Sequence, residues 1–544
     1  MRKILLILLF GLSTRLSMAQ QTVNVTTQGG LSAVLIAANI NASTVTKLTV
    51  TGTIDARDVS FMCHQMSKLA EIDLAGTNIA GCTWAYTTYR ANEMPQYSFE
   101  SKECLTIVSL PNSVTSIGDM AFHCCTSLTN LTLPNSVTTI GHSAFAGCWH
   151  LTSLTLSNSL TTIGDEAFFL CSDLTSLTIP NSVTTIEHMA FGSCSGLTSL
   201  TLPNLVTIGK LAFDGCSGLT SLTLPNSVTI GEFAFSNCTS LSSVVLSNSI
   251  TTIGRYAFLG CSGLTSLTLS GSVIIGDYAF YNCESLQSVN SGLANPNSVT
   301  TIGKSAFESC TGLTSLILPS SVTTIGEWAF ADCTGLISLT LPNTVTTIEN
   351  YAFFGCSKLT SLTLPNLVTT IGNMAFKDCT GLTSLTLPSS ITTISLGAFD
   401  GCTGLKSVVN NMLIPLAISY TTFYGLNTAT CALFVPAGSV AAYKAAAYWK
   451  DFWPITGIIV NAVGMVSCVT QRIYPNPAGE FVTLEGGPMV RATIYTLAGA
   501  MVMNHDLAGL DLVSINIGML KAGVYLVHIT TNDEKTVIVK LIKQ

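Results

Sequence analysis

The chain has 544 residues, and its 22 Lys and Arg against 29 Asp and Glu leave a net charge of −7. No basic cluster stands out, which argues against nucleic acid as a partner, because that binding needs grouped cations to neutralise phosphates. Only 9% of residues are charged and 48% are hydrophobic, but the apolar residues come in strand-sized pieces too short to cross a bilayer, so no transmembrane segment is expected in the mature chain.

Residues 1–19 read as a signal peptide. Arg2-Lys3 is the basic start, Ile4 to Leu12 the apolar run, and Ser17-Met18-Ala19 the small-residue cleavage site. In the stretch 20–97, Leu48-Thr-Val-Thr-Gly-Thr-Ile-Asp-Ala-Arg-Asp-Val reads as a strand followed by a helix, and Leu69-Ala-Glu-Ile-Asp-Leu74 as a diverged copy of the strand that follows.

Residues 98–409 repeat one motif, typified by Leu151-Thr-Ser-Leu-Thr-Leu-Ser-Asn-Ser-Leu-Thr-Thr-Ile-Gly-Asp-Glu-Ala-Phe168-Phe-Leu-Cys171. Thirteen Ala-Phe pairs, from Phe122 to Phe399, set the register in steps of 22 or 23 residues, apart from 27 between Phe280 and Phe307. Ser98-Phe99 ends a degenerate fourteenth unit. Such a period predicts a leucine-rich repeat solenoid, with one main strand per unit stacked on its neighbours. Within a unit, Leu128, Leu131 and Leu133 alternate as in a strand, and Pro134-Asn135 breaks it into a turn. Val137 and Ile140 point inward on a second extended piece, Gly141 permits a tight bend, and Ala144-Phe145 with Cys148 close the coil. About 14 units at roughly 4.8 Å per strand predict a core near 65 Å long. In the 27-residue step the extra residues, around Gln287 to Asn297, are expected to form a loop.

Thirteen of the nineteen cysteines, Cys125 to Cys402, stand three residues after the repeat Phe. They are expected to form a ladder of buried thiols with parallel side chains, a poor disulfide geometry. No recurring histidine or C-x-x-C pair suggests a metal. Among Cys63, Cys82, Cys104, Cys124, Cys431 and Cys468 a bridge stays open, with Cys63 to Cys82 the first candidate.

The strand residues between the leucines are Ser and Thr, as in Ser153, Ser176, Ser199 and Ser221 or Thr155, Thr178, Thr201 and Thr223. They read either as solvated strand formers or as a hydroxyl surface for a ligand. Variation between units concentrates just before Ala-Phe, where Tyr256, Tyr278, Trp328 and Tyr351 are candidate ligand anchors or, equally, covers for the edge of the core. No nucleophile elbow, H-E-x-x-H pair or phosphate-binding glycine loop occurs, so no enzyme, cofactor or metal is expected.

From Tyr474-Pro-Asn-Pro477 onward the repeat is gone and short alternating strands follow, including Val490 to Gly499, Leu520 to Ile529 and Lys535 to Lys543. They form a separate domain, 472–544, behind a linker at 459–471.

The unit Leu-x-x-Leu-x-Leu-Pro-x-x-Val-x-x-Ile-Gly-x-x-Ala-Phe-x-x-Cys resembles the BspA-like leucine-rich repeat of bacterial surface proteins. That resemblance implies an N-terminal cap over 20–97. It also implies a C-terminal cap over 410–458, in which Leu433 to Lys444 and Trp449 to Ile455 resemble the family's closing strand and Ala-rich helix. The final domain resembles the type A C-terminal sorting domain of type IX secretion in Bacteroidetes, a small β-sandwich. Its motif is carried by Tyr474, Pro475, Asn476, Pro477, Gly523, Tyr525 and Lys540. This implies recognition by the secretion machinery, then release or attachment at the outer surface. Together the two resemblances imply a surface or secreted protein that binds an extracellular protein, with a structural surface-layer component or a glycan-binding module as alternatives.

Overall fold

The computed structural model describes residues 20–203, 206–224, 228–246, 250, 252–269, 273–291, 299–458, 472–474, 476, 478–496, 500–531 and 536–544. The expected signal peptide and linker, Cys468, Pro475, Pro477 and residues 292–297 of the expected loop lie outside the described residues. The chain divides into two compact units, Met1–Ile458 and Ile459–Gln544.

In the first unit the predicted solenoid is present. Each repeat adds a strand to each of two parallel sheets. Ser153–Thr155 pairs with Asn130–Thr132 with Leu154 opposite Leu131, and Thr162–Ile163 pairs with Thr139–Ile140 on one side and Thr185–Ile186 on the other. One sequence period makes one turn of coil, so like residues stack on like and the ladders run unbroken through the core.

The phenylalanines make the most regular of these ladders. Rings from Phe99 through Phe399 stack with centroids 5.1–5.5 Å apart. Phe423 adds one more ring, 5.4 Å from Phe399, beyond the last legible repeat. Phe452 then meets Phe423 edge-on at 5.2 Å, as does Trp449 at 5.7 Å, and the stack ends.

The closing turn of each unit is where the chain departs from ordinary backbone. The residue two before Phe and the residue two after it are left-handed, as at Met120 (φ 52°) and Cys124 (φ 57°) around Phe122. This geometry turns the N–H groups along the stack. Met120 N donates to His142 O (2.9 Å), Phe122 N to Ala144 O (2.7 Å) and Cys124 N to Ala146 O (2.7 Å). A third inter-unit ladder thus satisfies backbone groups that neither sheet reaches. Gly141 follows the second strand without a positive φ, so the expected bend does not need glycine for its backbone angles. A Cβ there would stand 2.4 Å from Asp119 Oδ1 and 2.7 Å from Asp119 N in the unit before. Close approach of successive coils favours glycine here without requiring it, since Glu187, Glu349 and Ser395 stand at the same place in three other units.

All thirteen ladder cysteines are buried free thiols. Cys63 and Cys82, the first candidate bridge, are also unpaired. Cys63 lies against the Glu100 carbonyl at 3.9 Å, whereas Cys82 opens a hairpin with Tyr89.

The N-terminal cap contains β1 (Gln21–Val25), α1 (Leu31–Ala37), β2 (Lys47–Ile54), α2 (Ala56–Gln65) and β3 (Glu71–Ile79). The three strands extend the first sheet in parallel. β2 and α2 are the strand and helix predicted from Leu48 onward. Asp55 and Asp58 form a capping box on α2, and buried Asp58 also accepts from Gly29 N and Leu31 N at 2.8 Å each. At the other end of α2, the buried Lys102 ammonium donates to the carbonyls of Met62 (3.3 Å), Cys63 (2.8 Å) and Met66 (2.5 Å). A cation is favoured there because carbonyls of a helix's last turn lack partners and carry partial negative charge. At the far end Ala432–Pro436 and Ile455–Ile458 continue the sheet beside a short helix, Val440–Ala445. At both ends the added strands pair with the edge of the repeat sheet, so that Gln21–Val25 and Ile455–Ile458 become the outermost strands.

The second unit is an antiparallel sheet of Arg472–Tyr474, Phe481–Thr496, Met501–Asn516, Gly523–Thr531 and Thr536–Lys543. The long strand Phe481–Thr496 pairs with Arg472–Tyr474 in its first half and with Gly523–Thr531 in its second. Its own core includes Val482, Leu484, Ile494, Val527 and Leu541.

Candidate functional site

The variable residue before Ala-Phe is the left-handed one. Tyr256 and Tyr278 have φ of 57°, Trp328 and Tyr351 of 59°. Such a conformation costs about 1–2 kcal/mol in a residue with a Cβ. In each case the N–H donates to the next unit, as from Tyr278 to Lys304 O at 2.8 Å and from Trp328 to Asn350 O at 3.0 Å. The frame therefore dictates the backbone here and leaves the side chain free to vary.

These side chains line up along one face of the coil. Phe233, Tyr256 and Tyr278 stack at 4.4 and 4.7 Å, and Trp328 stacks on Tyr351 at 4.1 Å. Stacking leaves the four candidate anchors half-buried rather than exposed. The Arg255 guanidinium lies 4.7 Å over Tyr256 and 5.8 Å from Tyr278. Tyr281 tilts against Tyr278 at 6.0 Å, and Phe354 against Trp328 at 5.6 Å. Phe233, Tyr281 and Phe354 were not among the candidates read from sequence. The signal was available, because Phe233 occupies the same column as Tyr256, and Tyr281 and Phe354 occupy the column just after the repeat Phe.

Between the two aromatic groups the column holds Ser305, which is buried. There the face sinks into an open depression of about 370 Å³ lined by Tyr256, Tyr278, Tyr281, Lys304, Glu308 and Trp328, among others. Lys304 is paired with Glu327 at 2.8 Å. Burial pushes the Glu308 carboxyl above its usual range, Ser305 and the charge of Lys304 partly offset this, and the charge of Asp332 adds to it.

The hydroxyl rows are also in place. Ser153, Thr155, Ser176 and Thr178 are exposed on their strands. Other threonines serve the frame: the hydroxyls of Thr152, Thr198 and Thr383 donate to the Thr carbonyl one unit back at 2.9–3.0 Å.

In the second unit, Asn476 of the Tyr-Pro-Asn-Pro motif bridges to the last strand. Its Nδ2 donates to Lys540 O (2.7 Å) and its Oδ1 accepts from Ile542 N (2.8 Å). The Tyr525 hydroxyl donates to Lys521 O at 2.9 Å, and Gly523 begins its strand opposite Lys543. Among the described residues no His, Cys, Asp and Glu cluster is arranged to hold a metal, and no helix is long and apolar enough to cross a membrane.

The family described as "BspA type Leucine rich repeat region", in 6 copies, matches residues 92–218, 194–293 and 274–406. The "Secretion system C-terminal sorting domain" matches 472–544. A leucine-rich repeat protein from Bacteroides ovatus is 31% identical, covering 61% of this chain and 85% of that one, with a TM-score of 0.54. A leucine rich cell surface protein from Faecalibacterium prausnitzii is 27% identical over 56% of this chain and 85% of that one, with a TM-score of 0.33. The Leucine Rich Repeat protein of T. pallidum is 27% identical over 38% and 72%, with a TM-score of 0.23. No curated protein matches the chain. Repeat families of this kind are in general not enzymes, and no catalytic family is among the matches. The chain belongs to the BspA-type leucine-rich repeat family, and its C-terminal sorting domain assigns it to type IX export, to the cell surface or beyond it.

Proposed function

We propose that this is a non-enzymatic adhesion protein, which after export binds an extracellular protein along the variable face that carries Tyr256, Tyr278, Trp328 and Tyr351. The reading rests on one observation: the backbone of that column is held constant by the inter-unit hydrogen bonds, while its side chains differ from unit to unit. A conserved frame with variable decoration is how solenoids present a ligand surface. Many similar units in a row favour an extended or repetitive partner, engaged through summed weak contacts. Residues 1–19 would carry the chain to the periplasm, and the sorting domain would then engage the outer-membrane machinery.

A structural surface-layer role is the second reading, favoured by the largely exposed rows of Ser and Thr, which also leave room for a glycan ligand. An array of matrix proteins and glycans, probed with the whole exported chain and with a variant carrying Ala at Tyr256, Tyr278, Trp328 and Tyr351, separates these. Protein binding that the folded variant loses supports adhesion through this face. Glycan binding that survives in the variant points to the strand rows, and no binding by either leaves the structural role.

A further inference from the structure

In a continuous stack every ring face is covered by its neighbour, so only the faces at the ends remain open. The aromatic column has an interruption at Ser305, with Tyr278 one unit before it and Trp328 one unit after. Rungs in this column stand 4.1–4.7 Å apart, and Tyr278 and Trp328, two rungs apart on either side of Ser305, line the same depression, so the missing rung leaves room for one interleaved planar group. Tyr281 and Glu308 line the same depression.

Charge selects the kind of plane. The one cation lining the depression, Lys304, is already paired with Glu327. Glu308 lies partly out of water, with Asp332 as a negative neighbour and Lys304 as a weaker positive one. A desolvated carboxylate beside two ring faces favours a cation over a neutral ring or a sugar. The column already shows the contact in question: Arg255 lies over Tyr256 at 4.7 Å, and Lys210 lies 6.0 Å from the Phe233 centroid.

We propose that the notch at Ser305 is a binding site for one arginine side chain of a protein partner, its guanidinium sandwiched between Tyr278 and Trp328 and its charge met by Glu308. The proposal rests on the aromatic face being the ligand face and names what that face takes up.

The test uses the whole exported chain and short glycine peptides carrying a single arginine, citrulline or lysine, with N-acetyl-tyrosine amide and methyl glucoside as neutral probes, followed by titration calorimetry. The arginine peptide should bind with a Kd on the order of millimolar, as one cation–π sandwich supports. Citrulline, which keeps the plane and loses the charge, should bind at least about tenfold more weakly. Ser305→Tyr should abolish binding by completing the stack, and it should fold, since Tyr already occupies the equivalent left-handed position at Tyr256, Tyr278 and Tyr351. Glu308→Gln gives an independent arm and should weaken arginine binding several-fold. Equal binding of citrulline, preference for either neutral probe, no binding of the arginine peptide, or undiminished arginine binding in Ser305→Tyr overturns the proposal. If the array ligand is lost from the four-Ala variant but kept by Ser305→Tyr, the adhesive face stands and the arginine site falls.

Discussion

The thiol of Cys194 donates to the carbonyl oxygen of Phe168 in the preceding unit at 3.3 Å. The same bond, 3.2–3.5 Å long, recurs at all thirteen ladder cysteines. A thiol that donates is protonated and unbridged, so these cysteines hold the closing turns together as small hydrophobes with one weak donor each.

Free thiols are the direct consequence. Protein denatured without reductant should titrate with at least thirteen thiols, while the native protein should react slowly because the ladder is buried. A denatured count near zero would overturn the packing role.

Stability should fall in alkali. Burial pushes the thiols of Cys148, Cys194 and Cys310 from 9.0 up to about 12. Below pH 9 the thiols are neutral in both states and nothing changes. Between about pH 9 and 12 the unfolded chain releases protons that the folded chain keeps, so the unfolding free energy drops as pH rises. Denaturant midpoints measured from pH 7 to 11.5 check this; a flat profile above pH 9 contradicts it.

The two aromatic columns should respond differently to truncation. Phe235→Ala removes a buried rung and should cost roughly 3–5 kcal/mol. Tyr278→Ala removes a half-buried stacked ring and should cost about 1 kcal/mol. Equilibrium unfolding of the two variants compares them, and similar losses would mean that the outer column is part of the core.

Lys102→Met keeps much of the side-chain volume but deprives three carbonyls at the end of α2 of their donor. A loss on the order of 2 kcal/mol is expected, with faster amide exchange in α2 as the local sign. Unchanged exchange there would show that the cap does not depend on this contact.

Deletion of Tyr474 to Gln544 should leave the protein in the periplasm of a type IX-competent cell, as fractionation and surface labelling would show. Normal surface display of the truncated chain would remove the sorting role from this domain.

Much of the solenoid was legible because its period is a property of the chain itself. Leu, Ile, Phe and Cys recur every 22 or 23 residues, and stacking in parallel is how such units bury the same face repeatedly. The strand and helix from Leu48 onward were legible from local pattern. The fifteenth ring at Phe423 was not, because it lacks the Ala and Cys that mark the thirteen full rungs and, unlike Phe99, also falls off the period, 24 residues after Phe399. The unpaired state of Cys63 and Cys82 was equally out of reach, since spacing along the chain says nothing about which side chains face each other.

The candidate site divides along the same line. The sequence by itself determined the repeat, its apolar ladders and the column in which variation collects, because each of these is a periodicity. Only the tertiary structure decided that this column is left-handed, that its rings stack on one another, and that Tyr278, Ser305 and Trp328 line one depression. Those facts depend on the distance between residues one unit apart, which is set by hydrogen bonding between successive coils rather than by anything local to either one.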